Sequence, residues 1–304
     1  MRRQNPDVRA IVALLILSVI WGYNWVVMKL ALPFISAVQF CAIRTFFGSL
    51  VLFAVLLVLK KSPKPTYIRE TLLLGLLQTT GFVGLIIWAL VEGGAGKVAV
   101  LAYTMPFWVM ALAWPLLGEK IRGIQWLGLL LSVAGLFSII EPWNFHGKLF
   151  SNALAVLAGI AWALAVILAK RLHQRAPRID LLSFTAWQML FGSLPLVALT
   201  LVIPSKPVEW SDTLIAATLF NVILANGLGW WLWLYALRRL PAGIASMNSL
   251  LVPMIAVLAA WTQLNETPSV AEAMGMLMIA AALMIIGIHG MRRKGVAEPA
   301  TGQD

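Results

Sequence analysis

The chain has 304 residues, of which 61% are hydrophobic and 12% charged, and it carries a net charge of +11. Soluble domains are about a quarter charged, so this balance excludes an ordinary globular enzyme and points to a helical protein with many membrane spans. The basic residues lie in short gaps between long apolar runs, where topology signals sit, which argues against nucleic-acid binding.

The N-terminal "MRRQNPDVR" and the apolar run after it have the outline of a signal peptide. The run continues toward the roughly 20 residues that cross a bilayer, so it is read as a first span, 10–32. Within it, "SVIWGYNWVVMKLAL" is unusually polar and aromatic. Helical spacing places Trp21, Asn24, Trp25 and Met28 on one face, a candidate cavity wall, with Tyr23 pointing away. Gly22 would let a neighbouring helix approach closely, and Lys29 is read as an interfacial anchor.

The second span, 36–59, holds Arg44. A charge inside a membrane is costly and faces a cavity or a partner, unless it snorkels to the interface. Arg44 is therefore either a cation for a substrate carboxylate or an outer-interface anchor. The third span, 70–90, contributes Gln78 and Trp88 as candidate cavity residues. "EGGAG" (Glu92 to Gly96) predicts a tight turn whose glycines supply the dihedrals. The fourth span, 97–117, adds Tyr103 and Trp108, with Pro106 expected to kink it at mid-length as Pro253 kinks the ninth.

The fifth span is 122–140, the sixth, 152–172, carries Trp162, and the seventh, 181–203, carries Gln188, the counterpart of Arg44. The spans 213–237, 242–263 and 270–290 follow, and 295–304 reads as a disordered cytoplasmic tail. In lipid every backbone polar group must be satisfied internally, so all ten spans are predicted as helices.

Of the 23 lysines and arginines, Arg44 lies within a span and Lys29, Lys97, Lys148 and Lys206 fall on one side. All the others fall on the side of the two termini, which places both termini in the cytoplasm.

The chain also repeats itself. With an offset of 147, Pro106 meets Pro253, Trp114 meets Trp261, Glu119 meets Glu266 and Gly128 meets Gly275. Upstream, Gly96 meets Gly243 and Trp88 meets Tyr235. Trp21 meets Trp162, Lys29 meets Lys170, and "FGS" occurs at both Phe47 and Phe191. The unit is five helices used twice, residues 1–147 and 148–294. Five is odd, so the copies enter the membrane from opposite sides, a pattern of secondary transporters with a site near the midplane.

"WGYNWVVMKLAL", "FCAIRTFFGSLVLF", "GGAGKVAVLAYTMPFWVMALAWPLLGEKI" and "PAGIASMNSLLVPMIAVLAAWTQLNE" resemble the EamA family of the drug/metabolite transporter superfamily. The resemblance covers residues 10 to 290. It implies an all-α, ten-helix inverted-repeat bundle in the inner membrane that exports small metabolites, often amino acids. It also implies that helices 1–4 and 6–9 line the cavity, with helices 5 and 10 at the periphery. The second half departs from the family pattern, with "LVPMI" in place of "TMPFW" and Thr267-Pro268 after "LNE".

No Asp or Glu lies deep in a span, which favours facilitated export over a proton-coupled cation pump. The absence of Walker A, HExxH and GxSxG motifs, with a single cysteine, Cys41, speaks against ATP hydrolysis, an intramembrane enzyme or a resident metal. The expected partners are a small-molecule substrate and the lipid bilayer, with no cofactor, and the expected assembly is a monomer or homodimer. A sugar phosphate, nucleoside or drug-like cargo is the alternative to amino acids.

Overall fold

The computed structural model describes residues 8–121, 123–141, 148–175, 179–240 and 248–294. The expected match at Gly243 and the tail 295–304 lie outside the described residues. The helices are α1 Val8–Ala31, α2 Ala37–Val58, α3 Ile68–Glu92, α4 Ala95–Leu117, α5 Ile124–Ile140, α6 Leu149–Arg175, α7 Leu181–Val202, α8 Asp212–Arg239, α9 Asn248–Leu264 and α10 Val270–Lys294. Eight are long and apolar enough to cross a membrane, while α5 and α9 are apolar helices of 17 residues.

The two five-helix units mirror each other in detail. α2 starts at the N-cap Ser36, whose hydroxyl accepts from Gln39 N. The corresponding helix of the second unit, α7, starts at the N-cap Asp180, whose carboxylate accepts from Leu182 N and Ser183 N. Either cap satisfies donors that a helix start leaves open. The peripheral pair α5 and α10 crosses where small residues let backbones approach. A Cβ on Gly275 would sit 2.6 Å from Gly135 O, and one on Gly128 would sit 3.6 Å from Ala282 O and 2.9 Å from Ile286. The 147 offset carries Gly128 to Gly275 and Gly135 to Ala282, so each crossing is the image of the other.

Periodicity did not signal one shared feature. α3 and α8 each contain a π-helical stretch, Gly75–Val83 and Phe220–Leu228, followed by Gly84 and Gly229. The two stretches begin 145 positions apart, so across these helices the register differs by two residues from the one pairing Trp88 with Tyr235. π-turns are rare and cluster at functional sites.

Three local expectations need correction. Pro106 does not kink a continuous helix. α4 stops at Ala102 and restarts at Met105, with Tyr103 and Thr104 between, so Pro106 lies in the first turn of the second half. A first turn has no use for the missing N–H. The Gly93–Gly94 turn needs no unusual dihedral, since both residues are extended at φ −78° and −72°. Its glycines are there for space: a Cβ on Gly94 would sit 2.8 Å from Glu266 Oε2, and one on Gly93 2.7 Å from Val98 Cγ2. Lys29 does not snorkel freely. Its Nζ donates to Leu90 O at 2.5 Å and Gly93 O at 2.8 Å, capping the C-terminal end of α3 where a cation is favoured.

Candidate functional site

A cavity of ≈ 190 Å³ opens among the middle turns of the bundle, walled by α1–α4 and α6–α9. From α1 come Trp21, Asn24, Trp25 and Met28, one helical face. Tyr23 points elsewhere, its hydroxyl donating to Gln263 Oε1 at 2.9 Å. Gly22 lies against α9, where an added Cβ would come within 2.6 Å of Ile255.

Both π stretches reach this cavity, through Gln78, Thr79, Phe82 and Val83 on α3 and through Ala225 and Asn226 on α8. They also hold its walls. Trp21 Nε1 donates to Ala225 O at 2.9 Å, and Asn226 Nδ2 donates to Arg44 O at 3.0 Å. A widened turn thus lends a carbonyl to a partly buried indole that needs an acceptor.

The aromatic wall is built from two groups of ring contacts. Trp21 meets Trp230 edge-on at 5.7 Å between centroids and Trp233 at 6.1 Å. Trp162 stacks on Trp230 at 6.5 Å and meets Phe82 at 4.6 Å, while Trp25 meets Tyr103 at 6.3 Å. Contacts in this range are worth about 0.5–1.5 kcal/mol each beyond burial, enough to hold the rings in fixed orientations.

Arg44 stands in this apolar wall, 5% exposed. Its Nη1 lies 3.2 Å from Met28 Sδ, a weak acceptor, and its Nε has no partner. Asn24, 6% exposed, has an Oδ1 without a donor. No Asp or Glu is among the described residues lining the cavity. Buried polar atoms are almost always paired, so two unpaired ones on side chains that line a cavity point to where a ligand's polar groups belong.

Of the residues singled out from sequence, Trp21, Asn24, Arg44, Gln78, Tyr103 and Trp162 line this cavity together. Trp88, Trp108 and Gln188 do not. Trp88 comes two residues after the lining residue Ile86, about 200° round the helix, and is 50% exposed in an apolar groove on the flank of α3 and α7. Trp108 donates its indole N–H to Thr104 Oγ1 at 3.1 Å below the break in α4. Gln188 is buried where α7 crosses α3, next to the lining residue Met189. Pro106 is replaced at the wall by its neighbours Tyr103 and Met105. Pro253, buried in α9, offers no N–H to the Ser249 carbonyl one turn earlier, and Ser249 lines the cavity.

Sequence reasoning passed over Trp230, Trp233, Asn226, Thr79 and Asn248, all at this wall. Their signal was polarity or aromaticity at depth; the π stretches alter the face presented by Thr79, Asn226, Trp230 and Trp233, while Asn248 stands at the start of α9, which has no π stretch.

The profile of the EamA-like transporter family matches residues 8–140 and again 149–288. A transporter of Bacillus subtilis, named "Uncharacterized transporter YoaV", is 28% identical over 94% of this chain and 99% of its own length. A Salmonella typhimurium protein named "Probable amino-acid metabolite efflux pump" is 27% identical over 93% of this chain and 96% of its own. One solved crystal structure superposes with a TM-score of 0.65 at 17% identity, over 95% of this chain and 99% of that one, and shares the fold. The two matched halves coincide with the two five-helix units, and the chain belongs to the EamA-like transporter family, a multi-pass membrane transporter and not an enzyme.

Proposed function

We propose that this chain exports small carboxylate-bearing metabolites, amino acids among them, across the plasma membrane by alternating access. The observation that carries the reading is Arg44, a buried cation with an unpaired Nε in an aromatic-walled cavity that has no carboxylate among its described lining residues. A guanidinium presents a planar fork that fits a carboxylate in two-point contact. The tryptophan wall offers apolar surface to a side chain and π faces to an ammonium. The named efflux pumps of Salmonella typhimurium and Escherichia coli, 27% and 25% identical, support amino acids as cargo.

In this reading the units 1–147 and 148–294 exchange conformations about the cavity, with both termini in the cytoplasm, where most Lys and Arg lie. A cavity wall without a carboxylate supports facilitated flux over proton exchange. A phosphate-bearing cargo would call for more than one cation.

The test is flux from proteoliposomes loaded with a panel of amino acids and their amides, with and without a pH gradient. Arg44→Gln is expected to reduce flux of carboxylate cargo about 100-fold while leaving the amides unchanged. Equal loss for acids and amides would remove the assigned role of Arg44.

A further inference from the structure

The cavity's two unpaired atoms differ in kind. Arg44 Nε is a cationic donor, and Asn24 Oδ1 is a neutral acceptor. They are close along the bundle, because Arg44 Nη1 reaches Met28 and Met28 is one helical turn from Asn24. A ligand that satisfies both carries an anionic acceptor and, about one turn away, a hydrogen-bond donor. Whether that donor is charged is decided by what surrounds Asn24. The lining includes no carboxylate, and Glu92, Glu119, Glu141, Glu266 and Glu272 all stand at helix ends. An ammonium next to Asn24 would meet one amide oxygen, aromatic faces and the like charge of Arg44. A hydroxyl would meet the same oxygen and need nothing more. Burying a charge without a counter-charge costs more than burying a neutral donor that finds its acceptor.

We infer that the cavity selects monoanions whose second polar group is a neutral donor, a 2-hydroxy acid being the simplest, over the zwitterion of the same skeleton, with Asn24 as the residue that sets this preference. The inference rests on the carboxylate role proposed for Arg44. It narrows the cargo class within that reading: amino acids bind through their carboxylate and are held less tightly than their hydroxy analogues.

Four probes of one shape test it against the purified full chain in lipid nanodiscs at neutral pH: phenylalanine, 3-phenyllactate, 3-phenylpropionate and phenethylamine. Phenyllactate is expected to bind about tenfold tighter than either phenylalanine or phenylpropionate, with phenethylamine not binding. Asn24→Asp supplies the missing carboxylate and is expected to reverse the order, placing phenylalanine ahead of phenyllactate. Asn24→Leu is expected to bring phenyllactate down to the level of phenylpropionate; it keeps the test decisive should the aspartate variant not fold. Phenylalanine binding as tightly as phenyllactate overturns the charge rule and leaves the carboxylate reading standing. If none of the three carboxylates binds while phenethylamine does, the reading of Arg44 fails and the rule with it.

Discussion

The same lysine–glutamate pair stands at both ends of the bundle in two arrangements. Lys29 and Glu266 lie at one end, and their repeat images Lys170 and Glu119 lie at the other. At the first end both partners are spent on helix termini: Lys29 caps the carbonyl end of α3, and Glu266 accepts from Ala95 N at 2.8 Å and Gly96 N at 3.2 Å, capping the start of α4. At the second end Lys170 and Glu119 pair with each other, both half-exposed. At the first end Glu266 ties its unit to the backbone of the other and Lys29 caps a helix of its own unit; at the second their images form a surface ion pair between the units. Identical locks at both ends would describe a symmetric molecule; here the lysine–glutamate pair fastens backbone only at the first end, while at the second it is Arg171, beside Lys170, that donates to the Leu116 carbonyl.

The largest expected effect tests the crossings behind that asymmetry. A Cβ on Gly192 would strike the Gly75 backbone and come within 2.5 Å of Thr79, while one on its image Gly48 would meet the Asn226 side chain at 2.7 Å. At Gly192 the obstruction is backbone; at Gly48 it is Asn226 Cβ, which no rotamer change moves, so relief there takes a small shift of the helix rather than of a backbone crossing. Gly192→Val is expected to destabilise the protein by about 3 kcal/mol or prevent folding, and Gly48→Val by about 1 kcal/mol, read as thermal unfolding in detergent. Equal losses would mean that the two crossings are equally tight.

Next come the lysines. Lys29→Met is expected to cost about 1–2 kcal/mol by uncapping α3, whereas Lys170→Met is expected to cost less than about 0.5 kcal/mol. The glutamates should follow the same order with smaller values. Glu266→Gln is expected to lose about 1 kcal/mol, and Glu119→Gln a value within error of zero at 0.15 M salt. A larger loss from Glu119 would reverse which end is fastened.

The smallest effect concerns the paired N-caps, and it is visible only in acid. Burial alone would raise the Asp180 carboxyl, but Lys61 and the N–H groups of Leu182 and Ser183 outweigh it and hold the group below the usual carboxylate range. A carboxyl depressed in the folded state adds stability above about pH 4, its unfolded value, and loses it as pH falls through the folded value. Because Asp180 and Lys61 are partly exposed, the contribution is under about 1 kcal/mol. The stability advantage of the parent over Asp180→Ala should therefore shrink as pH falls below about 4, while that of Ser36 over Ser36→Ala stays flat.

What was legible in the sequence follows from what periodicity and charge report. The ten helices, the repeat and the face of α1 come from apolar run length and helical spacing, both local quantities. The break in α4 at Tyr103 and Thr104 was misread as a kink because Pro106 marks a helix start as readily as a bend. Trp88 was misplaced because a repeat match reports equivalence and not facing: its image in the shifted register, Trp233, lines the cavity while Trp88 stands in the flank groove. The dual use of Glu266 needed the contact between α4 and the end of α9, a pairing of residues about 170 positions apart.

The π stretches of α3 and α8 act as phase-setters for everything after them. An α-helix advances about 100° per residue, so deleting one residue between Gly75 and Val83 would leave both ends of α3 helical and turn Ile86 about a quarter-circle off the cavity. The same deletion between Phe220 and Leu228 would swing Trp230 and Trp233 away from Trp21. The aromatic wall is therefore sensitive to helix length as well as to residue identity. A chain one residue shorter in either stretch could keep every tryptophan in its sequence and lose the room they enclose.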